Sequence, residues 1–150
     1  MPPTLPSEKT SPFTSTDLHL FSQGAHDRIY EKLGAHQMRC GYTNGYYFAV
    51  WAPNAQCVSV VGSFNGWDDM AHPMQRVGSS GIWETFIANI KAGTYKYALI
   101  DCNGQRRLKA DPYARSGEYD KGHASILCAP LSDYVWHDGD WMTKRAEQNP

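Results

Sequence analysis

The run YYFAVWAPNAQCVSVVGSFNGW, residues 46–67, decides the fold. Residues 46–51 are largely aromatic and β-branched, a composition that suits a pleated, half-buried surface. Ala52-Pro53-Asn54 then breaks the pattern, because proline cannot donate to a strand ladder. Residues 57–61 form a second apolar stretch, closed by Gly62. The chain next places Phe64, Asn65, Gly66 and Trp67 immediately before two aspartates, Asp68 and Asp69. A large ring beside a turn and two charges either folds back onto the core or stands in water for a flat ligand.

Further strand-like runs follow at 82–87 and 94–100. In the second, apolar residues fall on alternate positions, which turns Lys96 to the opposite face. Residues 106–109 and 124–127 are shorter candidates. Three Asn-Gly dipeptides, at 44–45, 65–66 and 103–104, lie among these runs. Asn-Gly tolerates positive φ at both residues, so each is read as a tight turn joining antiparallel strands. Many short strands with such turns, and no strand–helix–strand rhythm, predict a mainly β protein built as an antiparallel sandwich.

Residues 1–14 are rich in Pro, Ser and Thr and read as a disordered tail. Ser15-Thr16-Asp17 supplies capping groups ahead of Leu18, Leu20 and Phe21. A second helical stretch places Ile29, Tyr30 and Leu33 on one face, and Gly34 stops it. Residues 15–36 are therefore expected to form a short helical segment packed on the sandwich, which occupies 37–130. Residues 131–150 read as a linker. It carries Trp136 and Trp141, odd for a free end.

The bulk composition excludes several classes. Hydrophobic residues are 41% and charged residues 19%, which is globular. The formal net charge is −1 and no basic block occurs, so a nucleic-acid partner has no electrostatic footprint. No apolar run approaches the ~20 residues that cross a bilayer, and the N-terminus lacks a secretory signal. Cys40, Cys57, Cys102 and Cys128 stand singly with no CxxC pair, which suits free thiols in a reducing compartment. A cytoplasmic location is expected.

Catalysis would require carboxylates held in a pocket. Asp68, Asp69, Asp101, Asp111, Glu118 and Asp120 all lie in turn-like sequence and read as solvated loop acids. No nucleophile elbow, zinc motif or phosphate loop occurs, so no catalytic residues, metal or cofactor are assigned. Asp101-Cys102-Asn103-Gly104 is explained as a hairpin turn, and His137 near Asp138 and Asp140 as part of a solvated linker. Trp51 and Trp83 lie inside strand runs and are read as core. Trp67 is different. An indole can stack on the C–H face of a pyranose, burying apolar surface worth on the order of 1–2 kcal/mol. Lys96 could then supply a cation to a hydroxyl, and Asn65 an amide.

In order and spacing, residues 48–55, 58–62 and 64–67 resemble the starch- and glycogen-binding modules that precede the catalytic barrel in the amylase superfamily. Among these, residues 17–21, 30–36, 72–74, 80–84, 95–97, 109–114 and 136–142 resemble 1,4-α-glucan branching enzymes, and the resemblance runs from about Asp17 to Arg145. It implies an immunoglobulin-like sandwich and an α-glucan ligand. It also implies a partner in the barrel that would follow, which carries the catalytic carboxylates that cut α-1,4 bonds and form α-1,6 branches. Trp67 takes the place of a ring that stacks on glucose, and Lys96 that of a lysine holding a sugar hydroxyl. Leu108 stands where a second stacking tryptophan is usual. That departure implies binding nearer ~mM than ~µM, since losing ~2–4 kcal/mol costs tens to hundreds in affinity. It also supports an alternative, a structural domain that orients the barrel. A debranching or trehalose-forming owner is disfavoured by the stretch at 30–36.

Overall fold

The structure is a computed structural model and describes residues 11–120, 122–129 and 139–148. Two antiparallel sheets pack face to face. The first has the order β1-β2-β5-β4, from Gly34–Cys40, Thr43–Trp51, Ile82–Ala88 and Gln75–Arg76. The second has β6 (Thr94–Ile100) at its centre, with β3 (Cys57–Gly62) on one side. On the other side lie β7 (Arg106–Lys109) and β8 (Ser125–Ile126), one after the other along β6. The fold is the expected mainly β immunoglobulin-like sandwich.

Period-two alternation sorts the side chains. Tyr46, Phe48 and Val50 of β2 meet Val58 and Val60 of β3 and Tyr95 and Tyr97 of β6 in the core between the sheets. Phe48 and Tyr95 pack edge to face with centroids 5.2 Å apart, a favoured aromatic geometry. Trp83 is buried there too, its Nε1–H donating to the Ala52 carbonyl at 3.0 Å.

The opposite face of β2 is also buried. Tyr47 and Ala49 form a second cluster with Phe13, Leu33, Val77 and Ile82, joined by Leu18, Phe21 and Ile29. The N-terminal segment thus lies over the outer face of the first sheet. Its helix α1 (Ser15–Ser22) opens on a capping box, in which Thr14 Oγ1 accepts from Asp17 N–H and Asp17 accepts from Thr14 N–H. The same Asp17 carboxylate is paired with Lys32 and with His26. The Lys32 ammonium, foremost among these partners, holds the carboxyl far below the usual carboxylate range.

Several expectations shift. Residues 11–14, read as disordered tail, are packed: Phe13 is buried and Ser11 Oγ donates to Glu84 Oε2 at 2.7 Å. Residues 1–10 lie outside the described set. The second helical stretch shrinks to one 3₁₀ turn, Ile29–Glu31, with Tyr30 exposed rather than on the apolar face. Residues 34–36, placed in the helical segment, instead open β1, so the sheet begins at Gly34.

The Asn44-Gly45 pair is not a turn. The turn between β1 and β2 is Gly41-Tyr42, with Cys40 paired to Thr43 and positive φ at Gly41. Gly45 lies inside β2 because a Cβ there would sit 2.1 Å from the Ile87 carbonyl oxygen. Asn65-Gly66 belongs to a longer connection that carries the chain to β4 in the other sheet. Only Asn103-Gly104 joins two antiparallel neighbours, β6 and β7, with Asp101 Oδ1 accepting from Asn103 and Gln105 N–H.

Trp51, expected in the core, ends β2 with 55% of its surface exposed and packs edge to face on Phe21. The expected linker contains a helix, α2 (Gly139–Gln148), while Trp136 and His137 lie outside the described residues.

Candidate functional site

The outer face of the second sheet is built by register. Antiparallel partners share a face. Val61 is opposite Lys96, Ser59 opposite Ala98, and Ala98 opposite Leu108. Because Val58, Val60, Tyr95 and Tyr97 point into the core, these partners all point outward. Val61, Ser59 and Ala98 are nevertheless buried. The connection after β3 accounts for this. Asp69 on that connection pairs with Arg106 of β7, Arg106 Nη2 donating to Asp69 Oδ1 at 2.7 Å, so the pair spans the outer side of β6. The guanidinium holds the Asp69 carboxyl below its ordinary value. Lys96 remains half-buried beside this cover, and Leu108 is 43% exposed.

Trp67 stands at the start of this connection, 40% exposed. Its φ is 60°, directly after Gly66 at 65°. Left-handed backbone costs a non-glycine residue roughly 1–2 kcal/mol, so the turn must hold it. The clamp is Asn65. Its Oδ1 accepts from Gly62 N–H at 2.9 Å, and its Nδ2 donates to the Val60 carbonyl at 2.9 Å and to His72 Nδ1 at 2.9 Å. Burial lowers the His72 pKa, which favours the neutral ring whose Nδ1 can accept. The Trp67 N–H closes the turn on the Gly62 carbonyl at 3.1 Å.

Of the three residues singled out in the sequence, Lys96 lies half-buried on the outer face, Trp67 is exposed on the connection that follows β3, and the Asn65 side chain is bonded within its own turn. Both N–H groups of the Asn65 amide are committed within the turn, so it fixes the platform and has no donor left for a ligand. Leu108 lies on the same face as Lys96, diagonal to it through Ala98, and offers an apolar surface without a ring. The chemistry available is a flat indole, a cation and an apolar patch.

The acids read as loop groups divide. Asp101 is held low by Arg107 and by turn N–H groups. Asp111 is buried, contrary to the solvated reading. It accepts from Tyr95 Oη at 2.6 Å, Tyr97 Oη at 3.2 Å and Tyr113 N–H at 2.8 Å. Burial raises its pKa. Its own N–H donates to Ser125 Oγ, which ties the start of the 110–124 excursion to its return at β8. No composition signal separates this structural acid from the exposed ones. Among the described residues, no group of three or more His, Cys, Asp or Glu side chains is placed to hold a metal, and no helix is long and apolar enough to cross a membrane.

Comparison with known proteins fits this geometry. Residues 32–114 match the family described as carbohydrate-binding module 48 (isoamylase N-terminal domain). The chain is 46% identical over 146 residues to a 1,4-alpha-glucan branching enzyme GlgB from Synechococcus sp. (strain JA-3-3Ab), covering 97% of this chain and 19% of the relative. It is 49% identical over 133 residues to the enzyme of that name from Burkholderia thailandensis, covering 88% and 16%. The chain thus spans about a fifth of the length of these relatives. A pullulanase from Bacillus acidopullulyticus shares the fold, with a TM-score of 0.50 at 23% identity, over 63% of this chain and 11% of the pullulanase. From the match across its sandwich and the identity to these enzymes, the chain belongs to the carbohydrate-binding module 48 family, in the form found in 1,4-α-glucan branching enzymes.

Proposed function

We propose that the chain is a non-catalytic α-glucan-binding module of a 1,4-α-glucan branching enzyme acting in glycogen biosynthesis. Glucose units stack on Trp67, and Lys96 holds a hydroxyl beside it. Asn65 serves by locking the turn that presents the ring. The parent enzyme would cut α-1,4 bonds and re-form α-1,6 branches through a catalytic barrel that partners this module. Four free thiols suit a reducing, cytoplasmic setting.

The observation that carries the reading is Trp67 itself. A large aromatic ring is held in left-handed backbone beside a dedicated amide clamp at the end of β3, and 40% of its surface is left in solvent. Strain of this kind persists where surrounding structure over-determines it, and functional sites are where it concentrates.

Leu108 favours a second reading, a structural domain that orients the barrel without gripping sugar. Native gels containing increasing glycogen separate the two. Under the glucan-binding reading the chain is retarded, and Trp67→Ala, with an unchanged circular dichroism spectrum, is not. Migration of both proteins as in glycogen-free gels, at every glycogen concentration, supports the structural role.

A further inference from the structure

The end of the sandwich that carries Trp67 also holds a polar hollow. It is lined by Gln37 of β1, Tyr42 of the β1–β2 turn, Thr43 and Asn44 of β2, and Asn89, Ile90 and Lys91 of the β5–β6 loop, and has a volume of about 440 Å³. That is within the range of small-ligand sites, ~300–1,000 Å³. Tyr42 is 97% exposed. The turn does not require it, since positive φ falls on Gly41 alone, so the ring is apolar surface left in water with no packing return. Asn89 has φ 63° and its N–H donates to the Asn44 carbonyl, which fixes the loop against the strand. No side-chain hydrogen bond within the described residues engages Gln37, Thr43, Asn44, Asn89 or Lys91. Three amides, a hydroxyl, an ammonium and a phenol ring therefore converge with their polar atoms unspent. The lining has no acid to attract a metal and only one cation for an anion. This set matches a neutral polyhydroxylated ligand with one flat apolar face.

The same loop reaches the Trp67 platform. Ser63 N–H donates to the Thr94 carbonyl and Thr94 N–H to Ser63 Oγ, while Lys91 is three residues from Thr94, at most about 11 Å along the chain. We infer that this hollow is a second contact for the α-1,4-glucan chain that stacks on Trp67, with Tyr42 as its ring and Asn44, Asn89 and Lys91 as its hydroxyl ligands. The inference rests on the glucan-binding reading. It assigns to the hollow the work that the missing ring at Leu108 leaves undone, in holding a longer chain at two points.

Calorimetric titration of the 150-residue chain with maltotriose and with maltoheptaose tests it. The proteins compared are wild type, Trp67→Ala and the double variant Tyr42→Ala/Lys91→Ala, with thermal melts confirming folding. Both residues of the double variant are exposed, so its fold should hold, and Asn44→Ala serves as an independent variant of the same hollow. The expected result is maltoheptaose affinity weakened about tenfold in the double variant and severalfold in Asn44→Ala, with maltotriose affinity unchanged. Trp67→Ala should lose both sugars. Unchanged maltoheptaose affinity in the double variant, with Trp67→Ala still defective, overturns the second contact and leaves the glucan-binding reading intact. Trp67→Ala binding like wild type while the double variant fails overturns the role of Trp67 and makes the hollow the primary site. Absence of binding by wild type overturns both.

Discussion

The outer faces of the two sheets are finished differently. On the first, the N-terminal segment lays Phe13, Leu18, Phe21, Ile29 and Leu33 across Tyr47, Ala49 and Ile82, so β2 is buried on both sides. On the second, the loop after β3 is tied to β7 by Asp69 and Arg106, Ser59, Val61 and Ala98 are buried, Lys96 is half-buried, and Leu108 is exposed, as is Trp67 on the loop itself. The covered face is expected to supply stability and the open face recognition. Under the proposed glucan-binding reading, the segment that seals one face and the strained turn that presents Trp67 would separate the two tasks in space.

If the covered face is for stability alone, truncating it should cost the most energy and the least binding. Leu33 is 1% exposed, and Leu33→Ala should destabilise by about 2–5 kcal/mol. Urea unfolding would measure this, with glycogen retention of the folded fraction unchanged. Lost retention at full folding would break the comparison. Next in size is Asn65→Ala. It strips partners from the Gly62 N–H, the Val60 carbonyl and His72, at a cost of about 1–3 kcal/mol. Unlike Leu33→Ala, it should also weaken glycogen retention, because Trp67 loses its clamp. Stability loss without loss of retention would mean that the turn does not position the ring.

The pH response sharpens the covered side. The folded-state pKa of Asp17 is depressed, so its contribution is present above the ordinary carboxylate pKa, near 3.9, and is lost as pH falls toward the folded value. Asp17→Asn should therefore destabilise at neutral pH, with the gap to wild type closing progressively below about pH 4. Asp111 works in the opposite sense. Its raised pKa makes the protonated form the better fit, and its contribution weakens as pH rises through the folded value. Thermal melts of both proteins between neutral and acid pH read the difference, and a gap that widens on acidification contradicts the assignment of Asp17. The smallest effect belongs to the open side. The Asp69–Arg106 pair is partly exposed, so a double-mutant cycle with Asp69→Ala and Arg106→Ala should give a coupling of about 0–1 kcal/mol. A much larger coupling would make the loop cover a stabilising element like the N-terminal segment.

The sandwich was legible because β2 is a largely continuous run of aromatic and β-branched residues and β6 alternates apolar with other positions. β6 was read with its bounds intact, and Lys96 was placed on the correct face by period two alone. β1 escaped because GAHQMRC, residues 34–40, is an edge strand without an apolar stripe. Asn44-Gly45 misled because the glycine answers to a close approach by the Ile87 carbonyl, a tertiary fact absent from local sequence. Trp51 misled for a related reason: strand membership says nothing about whether a terminal residue is covered, and this one, packed edge to face on Phe21, keeps 55% of its surface exposed. The candidate site rests on local signals of unequal reach. Trp67 and Lys96 could be found from turn position and alternation, whereas the inward commitment of Asn65 depends on His72, seven residues further along the chain.

The most direct test of the open face follows the indole N–H resonances of the isotope-labelled chain during titration with maltoheptaose. Trp67 on the open face should shift and broaden, while Trp51 against Phe21 and Trp83 in the core stay in place. A titration that moves Trp51, or that leaves every indole unmoved at saturating sugar, would contradict the claim that the Trp67 platform is where this module holds glucan.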